Sequence, residues 1–196
     1  MGLIDLSRIS IGIKGAGEMA TGVAIRLKRA GFSRIFMMEI ATPLAVRRTV
    51  SFCETVYENK FVVEGIEALR AYDSEDVQGA WKNGQIAVLV DPGWALLKQL
   101  HPQVVIDAII AKKNLGTSQN DAPLVIGLGP GFTAGEDVHR VIETMRGHEL
   151  GRVIAQGPAL ADTGIPGSIG GHTVDRVLRA PRSGIFQPCR KITDMI

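Results

Sequence analysis

Short apolar runs recur along the chain and alternate with amphipathic segments. Each run has the length of a buried strand rather than of a helix. Strands that alternate with helices are typical of a mostly parallel sheet covered by helices on both faces, so the predicted fold class is α/β. The predicted strands are residues 9–13, 34–38, 86–90, 104–106, 124–128 and 152–155.

One interruption of this pattern predicts a β-hairpin insert. Residues 61–63 and 66–72 lie on either side of Gly65 and alternate in a way that indicates a half-exposed ribbon. We expect this hairpin to flank the main sheet.

Helical spacing of apolar residues predicts three helices. The first has a stripe with an i, i+3, i+4, i+7 pattern that ends at Gly31: Ala20, Val23, Ala24 and Leu27. The second is predicted to begin at Thr42–Pro43 and to bury one face: Val46, Val50, Cys53 and Tyr57. The third is predicted from the capping-box spacing of Thr133 and Glu136, with a stop at Gly147 and one stripe: Val138, Val141, Ile142 and Met145.

A glycine-rich turn, GAGEMATG at residues 15–22, follows the first strand and opens the first helix. Gly15 permits a tight turn, Gly17 lets the backbone approach a phosphate, and Ala20 replaces the last glycine of the dinucleotide-binding pattern. The free N–H groups of the turn favour an anion, so the candidate binding residues also include Ala16, Glu18 and Met19.

Glu39 ends the second strand, where a carboxylate can accept hydrogen bonds from ribose hydroxyls. The turn and this acid together predict a Rossmann-type unit that binds a nucleotide or another phosphate-bearing ligand. The alternative is a tight turn without a ligand, with Glu39 as a solvated strand end.

Further polar residues are predicted to reach the ligand crevice, because the carboxyl ends of parallel strands meet at one edge of a sheet. Arg47 and Arg48 carry guanidinium groups that suit a phosphate or carboxylate, although adjacent arginines are more often a solvated face. The other candidates follow strands or lie in loops: Asp91, Asp107, Lys112, Asn114, Gly129, Gly131, Arg146 and His148.

The loop that contains Gly129 and Gly131 is a possible second anion-binding nest, or simply the tight entry to a capped helix. It lacks the lysine of a Walker A motif. His148 is a candidate ligand contact or acid/base group, but the sequence identifies no partner for it or for Lys112. The catalytic residues are therefore unknown.

Composition limits the classes of function. The chain has 196 residues, a net charge of +2 and 45% hydrophobic residues, which fits one ordinary domain and leaves room for a homodimer interface. Cys53 and Cys189 are isolated, so we expect neither a metal site nor a redox pair. We also expect no secretory signal, no membrane span and no nucleic-acid partner, hence a cytoplasmic protein.

The chain resembles a known family, the accessory proteins of selenium-dependent molybdenum hydroxylases in bacteria. The resemblance covers most of residues 11–171. It rests on IKGAGEMATGVAIRLKRAGF, PLAVRRTVSFCETVYE, VLVDP, IDAIIAKKNLGT, DAPLVIGLGPGFTAGEDVHRVIETMRGHELGRVI and TGIPGSIGG.

This resemblance implies a Rossmann-like domain that takes part in maturing or loading the molybdenum cofactor, including the placement of sulfur or selenium on the metal centre. It implies an apo molybdenum hydroxylase as partner and a nucleotide or molybdopterin as ligand. Carried over to this sequence, it gives the same crevice residues without individual roles.

The C-terminal segment is predicted to form a separate piece. Residues 1–172 form the Rossmann-like domain, and residues 173–196 resemble the opening strands of a barrel-sandwich module of the lipoyl type. A lone hairpin is marginal in water, which predicts an incomplete module or a partner chain.

Two other functions remain open at this point. An NAD(P)-dependent oxidoreductase would use the same glycine turn, with Glu39 favouring NAD over NADP. A non-catalytic regulatory protein would bind a nucleotide without turnover. Fold alone does not separate these functions.

Overall fold

The structure is a computed structural model that describes residues 5–177 and 179–184. It divides into two compact units, Met1–Ala161 and Asp162–Ile196, so the division falls before the boundary predicted after residue 172. In the second unit the described residues include a short 3₁₀ turn, Val174–Arg176. Most of the predicted barrel-sandwich strands, residues 178–196, lie outside the described residues.

The first unit alternates strands and helices. The helices are α1 (Glu18–Arg29), α2 (Thr55–Glu58), α3 (Ser74–Lys82) and α4 (Leu97–Leu100). The strands are β1 (Ser10–Lys14), β2 (Arg34–Glu39), β3 (Lys60–Val63), β4 (Ile66–Ala71), β5 (Ile86–Val90), β6 (Val104–Asp107), β7 (Leu124–Leu128), β8 (Thr133–Ala134), β9 (Arg140–Ile142), β10 (Val153–Ile154) and β11 (Gly157–Pro158).

Nine of the described strands form one sheet, in the order β10-β9-β7-β6-β1-β2-β5-β4-β3. Its pairs are parallel, except for the antiparallel pairs β3–β4 and β9–β10 at the two edges. The two short strands β8 and β11 pair separately in antiparallel fashion. This is the predicted α/β class with a mostly parallel sheet.

The central strands are buried on both faces, which explains why they read as continuous apolar runs. Along β1, Ile11 and Ile13 face one core with α1, and along β2 Ile35 and Met37 do the same. The alternate residues of β2, β5, β6 and β7 face a second core with α3 and α4: Phe36, Met38, Ala87, Leu89, Val105 and Val125. Helices therefore cover both faces of the sheet.

The six predicted strands and the first predicted helix are confirmed. The spans of β5 and β7 match the predicted spans, and α1 buries Ala20 and Ala24 before Gly31 takes a φ of 101°. The predicted hairpin is present as β3–β4. It belongs to the main sheet, because β4 pairs in parallel with β5.

The helix predicted from Thr42 is wrong. Residues 42–47 are irregular, short 3₁₀ turns follow at Arg48–Val50 and Phe52–Glu54, and only α2 is an α-helix. Val46 is 91% exposed, whereas Cys53 is fully buried as expected. The apolar residues of this segment do not form one helical stripe. The chain is irregular, and it enters the core only locally, at Phe52 and Cys53.

The helix predicted from Thr133 is also wrong. The Asp137 carboxylate accepts a hydrogen bond from the Thr133 N–H at 2.8 Å, which closes a tight turn in place of a first helical turn. Val141 then belongs to β9, which pairs in parallel with β7. Val138 and Val141 are fully buried. The spacing therefore predicted correctly that these residues belong to the core, but it was wrong in assigning them to a helix.

Candidate functional site

The glycine turn lies where the strand order of the sheet reverses. β1 pairs with β2 on one side and β6 on the other, so the loops after β1 and β6 diverge at this point. In open α/β sheets such a switch point forms a ligand crevice. A cavity of about 450 Å³ opens here, which we call the glycine-turn cavity; it is lined by Gly15, Gly17, Glu18, Met19, Glu39, Ile40, Thr42, Leu44, Ala108, Ile109 and Ile110.

The turn itself is held tightly by backbone hydrogen bonds. The Gly15 N–H donates to the Met38 carbonyl at 2.7 Å, and the Cys53 N–H donates to the Ala16 carbonyl at 2.8 Å. Gly15 has a φ of 91°, and a Cβ there would lie 3.3 Å from the Ile109 Cα. Gly15 is therefore required by the fold, whether or not a ligand binds.

Gly17 differs from Gly15 because the fold does not require it. Its φ is −68°, an ordinary value for any residue, and a Cβ there would have no atom within 4 Å. Gly17 is the N-cap of α1 and lines the cavity. The space that a side chain would fill is thus space in front of the helix N-terminus.

The first N–H groups of α1 provide the donors of the site. Within the described residues, no hydrogen bond uses the N–H groups of Gly17, Glu18 or Met19, as expected for the first turn of a helix. Ala20 begins the buried face of the helix and has no exposed surface. Three backbone donors and the positive end of the helix dipole therefore face the cavity.

Glu39 closes the other side of the turn. Its Oε2 accepts a hydrogen bond from the Ala16 N–H at 2.8 Å, and its Oε1 accepts one from the Ile40 N–H at 2.8 Å. The carboxylate is half-buried and lines the cavity. Two backbone donors thus fix its orientation beside the glycine turn, at the place expected for an acid that contacts ribose.

Arg47 and Arg48 do not line the cavity, since each is engaged with a carboxylate. The Arg47 N–H and Nε both donate to Oε1 of Glu18, at 2.8 Å and 3.2 Å. The Arg48 Nε donates to the buried Glu54 at 2.9 Å, and this hydrogen bond raises the pKa of Arg48. These pairs anchor the loop that carries Leu44 to α1 and to the core.

Cys53 lies beneath the glycine turn as a buried thiol. Burial, with the nearby carboxylates of Glu39, Glu54 and Glu18, raises the pKa of Cys53 to about 12. A thiol in these surroundings stays protonated at neutral pH, which is the opposite of an activated nucleophile. The geometry gives this cysteine a packing role.

The predicted residues after β5 and β6 organise loops. The carboxylate of Asp91 accepts hydrogen bonds from the N–H groups of Ala95 and Leu96, at 3.1 Å and 2.9 Å. The Asn114 side chain accepts hydrogen bonds from the Gly116 and Thr117 N–H groups. Neither side chain lines the glycine-turn cavity, and Lys112 is exposed in the same loop with a φ of 61°.

The remaining predicted residues lie beyond β7. A Cβ on Gly129 would come within 2.5 Å of the Thr144 hydroxyl, and one on Gly131 within 2.6 Å of the Lys113 backbone. Both glycines therefore permit close packing. Arg146 and His148 are exposed and do not line the cavity. Of the seventeen predicted residues, the cavity collects five in its lining: Gly15, Gly17, Glu18, Met19 and Glu39.

Sequence reasoning missed Lys14, whose side chain is fully buried at the end of β1. Its ammonium group donates to the Thr117 hydroxyl at 2.8 Å and to Asp121 Oδ2 at 2.6 Å. The Thr117 hydroxyl in turn donates to Asp107 Oδ2 at 2.6 Å. Burial raises the pKa of Asp107, although its hydrogen bonds and Lys14 oppose that shift. Asp107 therefore belongs to this buried network rather than to the glycine-turn cavity.

Two features are absent from the part of the chain that the structure describes. Residues 5–177 and 179–184 contain no helix that is long and apolar enough to cross a bilayer. The same residues contain no cluster of three or more His, Cys, Asp or Glu side chains that is suited to a metal ion.

Comparison with known proteins finds one curated relative, YqeB of Escherichia coli (strain K12), which is described as an uncharacterized protein. It is 49% identical over 184 residues, covering 94% of this chain and 34% of that protein. The chain thus spans about a third of the length of this relative. No family model matches the chain. No solved structure matches it either.

Proposed function

We propose that the glycine-turn cavity binds a nucleotide or a molybdopterin-type ligand through its phosphate. We propose further that the protein is an accessory protein in the maturation of a selenium-dependent molybdenum hydroxylase. The observation that carries the binding proposal is the open space in front of Gly17, at the N-terminus of α1. The maturation role rests on the sequence resemblance.

The donor set of the cavity suits a phosphate. The N–H groups of Gly17, Glu18 and Met19 begin α1, and the helix dipole adds to their attraction for an anion. Any side chain at position 17 would fill the space in which these groups meet a ligand. These backbone groups would hold the phosphate by themselves, since the lining residues of the cavity include no lysine or arginine.

The rest of the lining suits the remainder of such a ligand. Glu39 is oriented by the Ala16 and Ile40 N–H groups and would accept hydrogen bonds from hydroxyl or ring N–H groups. Ile40, Ile109 and Ile110 provide apolar surface for a ring system. The carboxylates of Glu18 and Glu39 also disfavour a ligand with many charges, which favours a diphosphate or monophosphate over a triphosphate.

Binding without catalysis is favoured over hydride transfer. Among the described residues, the lining of the cavity contains no His, Lys, Tyr or Cys side chain that would donate a proton to a carbonyl. A dehydrogenase that uses NAD(P) would need such a group, so the oxidoreductase is the weaker candidate. The protein would instead bind its ligand and present it to an apo molybdenum hydroxylase in the cytoplasm.

The test is calorimetric titration of the purified protein with molybdopterin, cytidine nucleotides, NAD, NADP and nucleoside triphosphates. The variant Gly17→Val should abolish binding at the glycine-turn cavity while the protein stays folded, because its Cβ meets no protein atom. The matched control is Gly22→Ala, an exposed glycine within α1 whose replacement faces open space away from the cavity lining.

Each outcome has a distinct meaning. Tight binding of molybdopterin or a cytidine nucleotide that is lost in Gly17→Val and kept in Gly22→Ala supports the proposal. Tight binding of NAD alone would favour the oxidoreductase. Absence of binding by any of these compounds would refute the binding proposal and leave the glycine turn as a structural feature.

A further inference from the structure

A second cleft lies next to the buried Lys14 network and is distinct from the glycine-turn cavity. We call it the Trp94 cleft. It has a volume of about 430 Å³, within the range of roughly 300–1,000 Å³ that is typical of small-molecule sites. It is lined by Gly93, Trp94, Leu97, Lys98, His101, Gly116, Asn120 and Asp121, none of which lines the glycine-turn cavity.

The Trp94 cleft is on the α4 side of the sheet. Leu97 of α4 belongs to the same core as α3, and a Cβ on Gly12 of β1 would approach the Leu97 side chain at 3.1 Å. The opposite face of β1 packs through Ile11 and Ile13 against the core that contains α1. The cleft and α1 therefore lie on different faces of the sheet.

Trp94 holds its indole ring between the buried Lys14 and the cleft, on a backbone in the left-handed region. Its φ is 57°, in the left-handed region that disfavours bulky residues and would be relaxed by glycine. The Lys14 ammonium lies 5.1 Å from the centroid of its ring. The indole thus covers the buried charge with one part of its surface, and the half-buried remainder lines the cleft.

The polar groups beside Trp94 are incompletely used by the protein. Asp121 Oδ2 accepts hydrogen bonds from Lys14 and from the Ser118 N–H, whereas Oδ1 has no partner among residues 5–177. The Trp94 indole N–H likewise has no acceptor in the described chain. A ligand in the cleft would therefore find one free acceptor, Asp121 Oδ1, and one free donor, the N–H on the edge of the Trp94 ring.

Two basic side chains lie at the mouth of the cleft. Lys98 of α4 and His101, which caps the C-terminus of that helix with a φ of 43°, are both exposed and both line the cleft. Neither forms an ion pair within the described residues. Together they suit a phosphate group that stays near the solvent.

We propose that the Trp94 cleft binds a phosphorylated, amino-substituted heteroaromatic compound. The ring stacks on Trp94, a ring N–H or amino group donates to Asp121 Oδ1, and the phosphate contacts Lys98 and His101. Guanosine monophosphate and a phosphorylated pterin share this chemistry. The proposal does not depend on ligand binding at the glycine turn.

The test uses the fluorescence of Trp94 in a Trp81→Phe variant, which leaves one tryptophan in the chain. Guanosine monophosphate and a pterin phosphate are titrated separately, so that the experiment shows whether the cleft prefers a purine or a pterin ring. Saturable quenching by either compound, with weaker quenching by guanosine and none by ribose 5-phosphate, is the expected result. If Trp81→Phe does not fold, calorimetry on the Gly17→Val variant, in which the glycine-turn cavity is blocked, replaces fluorescence.

Two variants assign the response to this cleft. The double variant Lys98→Ala, His101→Ala should weaken binding of the phosphorylated ligand at least tenfold and leave guanosine unaffected, whereas Lys82→Ala, an exposed lysine of α3, should change nothing. Gly17→Val should also bind normally, which separates this site from the glycine-turn cavity. No saturable quenching by millimolar ligand, or quenching that the double variant leaves unchanged, would overturn the proposal.

Discussion

The ammonium group of Lys14 lies 2.6 Å from Asp121 Oδ2, across 107 residues of sequence. Lys14 is the last residue of β1, and Asp121 lies in the loop between β6 and β7. The Lys14 side chain is fully buried, while that of Asp121 is 22% exposed. Together with Thr117 and Asp107, this pair connects β1 to the loop that forms one side of the Trp94 cleft.

Replacing Lys14 by methionine should destabilise the protein strongly. The variant leaves Asp107 and Asp121 in a buried network without their cation, and removing one partner of a buried pair costs about 3–5 kcal/mol. The free energy of unfolding, measured by urea titration, should fall by that amount. Lys60→Met removes an exposed ion pair with Glu67 and should cost at most about 1 kcal/mol. Equal effects of the two variants would contradict the assigned role of Lys14.

The buried carboxylate of Glu143 should make stability depend on pH. Burial raises its pKa, but the N–H groups of Leu160, Met145 and Thr144 lower it more, so the net pKa lies below 4.5. A lowered pKa means that the ionised group stabilises the fold above about pH 4.5, and that this contribution disappears as the pH falls through the folded-state pKa.

The variant Glu143→Gln measures this contribution. It should reduce the free energy of unfolding by about 1–3 kcal/mol at pH 7, because an amide NH₂ group would face one of the backbone N–H donors. The difference from wild type should shrink progressively as the pH falls below about 4.5. Glu149→Gln is the matched control, since Glu149 is exposed and forms a surface pair with Arg152. A difference that does not change with pH would show that the charge of Glu143 is not responsible.

Gly131 should tolerate substitution far less well than Gly135. Both have positive φ, 108° and 90°, so alanine strains the backbone at either position. Only at Gly131 would the new Cβ meet the Lys113 backbone, at 2.6 Å, while Gly135 has open space. Gly131→Ala should therefore lower the free energy of unfolding by about 1–3 kcal/mol more than Gly135→Ala. Similar melting temperatures would rule out the close approach of the two loops.

Cys53 should resist thiol reagents in the native protein. Its pKa of about 12 and its complete burial leave neither thiolate nor access at neutral pH. In a Cys189→Ser variant, labelling should be slow in buffer and complete in denaturant. Fast native labelling would mean that the segment beneath the glycine turn opens readily and would revive a chemical role for this thiol.

The fold was predictable where burial is a local property of the sequence. Central strands such as β5 and β7 are buried on both faces, so an uninterrupted apolar run marks them without knowledge of their neighbours. The glycine turn was equally visible, because Gly15 and Gly17 follow a strand and open a helix. The helix α3 was missed although Asp73 caps it by accepting hydrogen bonds from the Glu75 and Asp76 N–H groups.

The errors arose where distant contacts decide the structure. The spacing of Val138 and Val141 fits a helix as well as the turn and strand that the Asp137 carboxylate and the pairing with β7 impose. Lys14 ends an apolar run, where a lysine normally faces solvent. Its burial depends on hydrogen bonds to Thr117 and Asp121, and the sequence of β1 does not indicate partners that are more than 100 residues away.

Because side chains alternate between the two faces of the sheet along β1, the number of residues in this strand determines which face Lys14 points to. Ile13 faces the core with α1, and Lys14, the next residue, points to the opposite face beneath Trp94. Inserting or deleting one residue in β1 would exchange these two directions and would place an ammonium group in the apolar core. Relatives that differ in the lengths of their loops should therefore keep the number of residues between the start of β1 and the glycine turn unchanged.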